Sequence, residues 1–136
     1  MKPWEVNRQH VCDAAADLLA DSSLESKVSL LPPTSEFLEP VISAILPGDS
    51  TMEVFNDNDV LRVDLGNTAE FEINDAIVNM PQFIVSIVRS AVLGELEYFV
   101  DKKGKLRVVA RNGEVLLGEY LTEEKRKALW QTDIAP

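Results

Sequence analysis

The residues that could do chemistry are few, and their spacing removes most of what they could do. His10 and Cys12 are the only histidine and the only cysteine, two positions apart in a helical stretch, so their side chains do not face one another as a thiol–imidazole pair. With one of each, a zinc site built from those ligands cannot form and no internal disulfide is available. The glycines at 48, 66, 94, 104, 113 and 118 are dispersed and give neither a GxGxxG nor a GxxxxGKS/T phosphate loop. Asn56-Asp57-Asn58-Asp59 looks like the start of a calcium loop. Counted from Asp57, however, Leu61 falls at the fifth position and Arg62 at the sixth, where glycine is needed. It reads as a turn built from Asx residues. Glu53, Asp64, Glu70 and Glu72 are acids that folding could bring together in pairs, but no nucleophile or oxyanion donor accompanies them. The expectation is no catalytic residue, no metal and no cofactor.

Charge is the stronger signal. The chain of 136 residues has a net charge of −10. Residues 1–75 carry 15 Asp and Glu against four Lys and Arg, whereas the remainder is nearly balanced. Within 36–75, Arg62 is the only basic residue. Nucleic acid and anionic membrane are therefore not expected as direct partners, since both need clustered Lys and Arg. No segment approaches the run of about 20 apolar residues that spans a bilayer. The opening MKPWEVNRQH has no apolar signal region, and the lone cysteine suits a reducing, cytoplasmic setting.

These residues must be positioned by secondary structure, and the apolar periodicity predicts an α+β fold in the order α-α-β-β-β-α-β-β-β-α, a single domain over 1–136. A first helix runs from a cap at Asn7 to about Asp21, with Val11, Ala15, Leu18 and Ser22 on one face and Leu19 beside it. Residues 24–31 read as a connection closed by Pro32-Pro33. A second helix follows from Thr34 or Ser35 through Leu46, with Val41, Ile42, Ile45 and Leu46 as its apolar face. Three alternating strands cover 51–56, 60–65 and 69–74. Pro81 and Gly94 bracket a helix over 81–93 that packs on the sheet, leaving Gln82, Ser86, Arg89 and Ser90 as a narrow polar stripe. A meander over 95–101, 105–111 and 114–120, turned by Lys102-Lys103-Gly104 and by Asn112-Gly113, pairs Val100 with Leu106, Tyr98 with Val108, Leu96 with Ala110 and Arg111 with Glu114, and a last helix is capped by Thr122.

Alternation in the first meander puts Met52, Val54, Leu61, Val63, Leu65, Ala69, Phe71 and Ile73 on the core side. Glu53, Phe55, Arg62, Asp64, Glu70 and Glu72 then share the other side. That face is either an ordinary solvated surface or a docking surface, with Phe55 as an anchor in a negative field. On the second reading Glu53, Phe55, Asp57, Asp59, Asp64, Glu70 and Glu72 bind a basic protein partner, a toxin or an effector.

In composition the chain resembles bacterial immunity proteins, which are small and acidic; that likeness implies an inhibitor that caps the positive cleft of a nuclease toxin. The order helix, three strands, helix, two strands, helix is similar to that of type III secretion chaperones, from which the helix near 35–46 and the strand 114–120 depart. A third possibility, of a different class, is a small-molecule binder or enzyme with a pocket between helix 81–93 and the sheet.

Overall fold

The structure is a computed structural model that describes residues 2–34, 39–66, 69–73, 77–100, 105–109 and 115–120. Helix α1 (Pro3–Ala20) starts four residues before the expected cap. Pro3 sits in its first turn, where its fixed φ favours the helix and its missing N–H costs nothing. Asn7 is therefore free to work as a side chain rather than as a cap. At the other end the Asp21 carboxylate accepts hydrogen bonds from the Ser23 backbone N–H (3.0 Å) and hydroxyl (2.6 Å), turning the chain out of the helix. Val11, Ala14, Ala15 and Leu18 form the buried face, and Leu19 lies outside it.

The chain then makes two strands, β1 (Val28–Leu31) and β2 (Val41–Ile45), paired antiparallel. Here the expected second helix is wrong: Val41, Ile42 and Ile45 lie on a strand. Two physical reasons favour extension. Pro40 holds Glu39 away from the helical region, and a Val-Ile-Ser-Ala-Ile run suits a pleated surface. The periodicity of so short an apolar run fits either state, and pairing on both sides, with β1 and with β3, decides it. The expected connection over 24–31 likewise ends in β1.

A tight turn at Pro47–Asp49, with φ of 80° at Gly48, leads into β3 (Thr51–Asp57), β4 (Val60–Leu65) and β5 (Ala69–Glu72). Asn58 and Asp59 both have positive φ (51° and 71°) and form the two-residue loop between β3 and β4, the twist a hairpin favours. The five strands form one sheet in sequence order, antiparallel throughout.

Helix α2 (Met80–Val92) matches the expected span to within a residue. Its polar stripe is narrower than expected, because Ser90 is buried with Phe83, Ile84, Ile87, Val88 and Ala91. Gly94 just beyond it has φ of 69°, and a Cβ there would stand 3.3 Å from Pro47. Strands β6 (Glu97–Val100), β7 (Lys105–Val109) and β8 (Val115–Tyr120) form a second antiparallel sheet. Strands β6 and β7 pair in the expected register, Val100 opposite Leu106 and Tyr98 opposite Val108. Val109, however, stands opposite Val115, one residue off the pairing that Arg111 opposite Glu114 implies. The expected pairings of Ala110 and Arg111, the Asn112-Gly113 turn and the final helix lie outside the described residues.

Both helices pack together, and their buried residues join the inward side chains of the five-stranded sheet and Leu96, Tyr98 and Val108 in one core. The α+β class with antiparallel sheets holds. Five strands rather than three separate α1 from α2, so β1 and β2 take the place of the helix near 35–46 as a departure from the secretion-chaperone order.

Candidate functional site

The helices cover one face of the five-stranded sheet, so strand alternation turns the acidic residues to the other. Register fixes which of them touch. Ser43, Glu53, Asp64 and Glu70 stand directly opposite one another across β2 to β5, placing three carboxylates side by side. Phe55, Arg62 and Glu72 make the next row. Like charges in such rows repel. Arg62 relieves this: its Nε donates to Asp57 at 3.0 Å, and its terminal nitrogens lie 3.6 Å from both Glu70 and Glu72. One guanidinium thus stands among five carboxylates, those of Glu53, Asp57, Asp64, Glu70 and Glu72.

Asp64 carries the cost of this arrangement. Partial burial pushes its pKa above the ordinary carboxylate value, and the neighbouring charge of Glu70 adds to the effect. Its Oδ1 is buried without a hydrogen-bond partner. The face is not uniform. Val41 shares its side with Ser43 and is buried, yet it stands apart from the main core. Glu53 and Phe55 are half-buried, and Glu70 and Glu72 are exposed.

Asp59 is the one expected site residue that does not lie on this face. It sits at the tip of the β3–β4 hairpin beside α1, where its carbonyl accepts from the Asn7 amide at 2.7 Å. A second tie, from Asn56 Nδ2 to the Trp4 carbonyl at 3.3 Å, fixes the same tip to the start of α1.

This pinned tip walls a groove of about 990 Å³ at the N-terminal end of α2, between α1 and the ends of β4 and β5. Leu61, Ile73 and Met80 are its buried floor, with Val6 and Ile77 half-buried beside them. Asp59 and Glu72 stand exposed on its rim, and His10 lines the α1 side. Sequence reasoning raised a pocket between helix 81–93 and the sheet; this groove lies at the start of that helix and has α1 as a wall, which that reading did not include. Its residues come from four elements and the loop before α2; Pro3, Val6, Asn7 and His10 share a face of α1, but no pattern within one element links that face to Leu61, Glu72, Ile73 and Ile77.

Among the described residues no three His, Cys, Asp or Glu side chains are disposed to hold a metal ion, and no helix is long and apolar enough to cross a membrane. The chain matches no family model, no curated protein and no solved structure.

Proposed function

We propose that the chain is a protein-binding module whose acidic sheet face docks on a basic protein partner. The observation that carries this is the exposed face on β3–β5, where five carboxylates surround one arginine while both helices lie on the opposite side. Arg62 offsets only part of the repulsion in this row of carboxylates, and the negative field that is left accelerates encounter with a positive surface. Phe55 beside that field supplies apolar area for a desolvated contact. Inhibition of a nucleic-acid-degrading toxin fits this chemistry, because a cleft that holds phosphates must be positive.

The test is affinity capture with the wild-type chain and with a Glu53→Lys, Glu70→Lys variant, followed by surface plasmon resonance on what the wild type enriches. A basic protein held by the wild type should bind the variant with a lower on-rate and a flatter salt dependence, since exposed charges act mainly on association. Phe55→Ala should chiefly raise the off-rate. Unchanged rates with a folded variant, checked by circular dichroism, would remove the sheet face from the binding site.

A further inference from the structure

The groove at the N-terminal end of α2 has a composition that selects its occupant. Its floor is aliphatic, made by Leu61, Ile73 and Met80, with Val6 and Ile77 at its sides. Its exposed rim carries the carboxylates of Asp59 and Glu72. A ligand that fills it must offer an apolar group to the floor and positive charge to the rim. The groove is also continuous with the acidic sheet face. Glu72 belongs to both, lying 3.6 Å from Arg62 on the sheet side and lining the groove at the end of β5. The opposite wall is preformed, because Asn7 and Asn56 tie the hairpin tip to α1. Preformed walls lower the ordering cost of binding.

We propose that this groove takes a short, basic, extended segment of the protein partner, with an aliphatic or aromatic side chain in the floor and Lys or Arg against Asp59 and Glu72. This deepens the docking reading above and rests on it for the nature of the partner, but apart from Glu72 it uses different residues. The sheet face attracts; the groove anchors. It also gives a use to Asp59, the acid that the fold separates from the rest.

The probe is a fluorescein-labelled Lys-Leu-Lys-Leu-Lys-Leu peptide, with Ser in place of every Leu as the control, followed by fluorescence anisotropy. The Leu peptide should bind the wild type at least about tenfold more tightly than the Ser control, since a buried apolar anchor contributes more than rim charge alone. Val6→Ser with Ile77→Ser should lose about tenfold in affinity for the Leu peptide. Asp59→Asn with Glu72→Gln, at exposed positions that leave the core intact, should weaken both peptides. Glu53→Lys with Glu70→Lys should alter peptide affinity by less than either groove variant. Circular dichroism checks each fold. Equal binding of the two peptides, no binding of the Leu peptide, or full binding by both folded groove variants would overturn the proposal. Loss of peptide binding in the sheet variant alone would sink the groove and leave the sheet-face reading standing. The reverse failure, a natural partner indifferent to Glu53 and Glu70 but sensitive to Val6, Ile77 and Asp59, would remove the sheet face and keep the groove.

Discussion

Asp64 concentrates the conflict between charge and burial in this molecule. Its carboxylate lies between Glu53 and Glu70 in the cross-strand row, one oxygen has no partner, and its pKa is raised by burial and then by Glu70. A carboxyl group with a raised folded-state pKa favours folding when protonated, and that advantage is lost as pH climbs through the folded value. At neutral pH the ionised group therefore works against the fold. Asp64→Asn should raise the thermal midpoint at pH 7, and the gain should shrink as pH falls, disappearing below the ordinary Asp value of about 3.9. Thermal scans of both proteins across that range check it; a variant less stable at pH 7 would mean the charge is better compensated than its surroundings indicate. Asp21 has the opposite sign. Hydrogen bonds from Ser23, and then Arg89 at 3.2 Å, lower its pKa, so its contribution is present at neutral pH and lost on acidification through the folded value.

At the scale of elements, α2 is held by burial more than by its ends. Asn79 precedes it in a left-handed conformation and makes no side-chain cap, whereas Ile84, Ile87 and Val88 are almost completely inaccessible. Ile87→Ala should cost about 2–5 kcal/mol, the transfer term plus the cavity left in a core that cannot fully collapse. Ser86→Ala, on the part of the polar stripe that stays accessible, should be nearly silent in the same urea titration. Equal losses at both positions would put the helix on the wrong face. Ser90 cannot serve as the silent control, because tertiary packing buries it. Helix periodicity marked it polar. It did not register that α1, with its alanines at 14 and 15, packs against α2.

For the whole molecule, the charge of −10 acts on folding and on binding with opposite signs. Self-repulsion opposes the compact state, and salt screens it over a Debye length that falls to about 8 Å at physiological ionic strength. The thermal midpoint should therefore rise between low salt and physiological salt, while association with a basic partner slows over the same interval. Differential scanning calorimetry and binding kinetics in matched buffers give the two slopes. A midpoint that falls with added salt would mean that ion pairs such as Arg8–Glu39 and Arg62–Asp57 outweigh the net repulsion.

The sequence by itself determined the elements whose pattern is long or sharply bounded. Strands β3 and β4 follow from strict alternation around an Asx turn, α2 from Pro81 and Gly94, and the β6–β7 register from the hairpin between them. It also determined that Glu53, Phe55, Asp64, Glu70 and Glu72 share a face, because alternation along a strand is local. Tertiary structure decided the rest. Val41–Ile45 is a strand because β1 and β3 both offer it hydrogen-bond partners, which no local propensity expresses. Which carboxylates adjoin, and hence the strain on Asp64, depends on register across three strands. The groove depends on the hairpin tip meeting α1 through Asn7 and Asn56, residues about fifty positions from their acceptors. Contacts between segments so distant leave no periodic trace in either one, because each segment's pattern records only the side it buries and not the surface it meets.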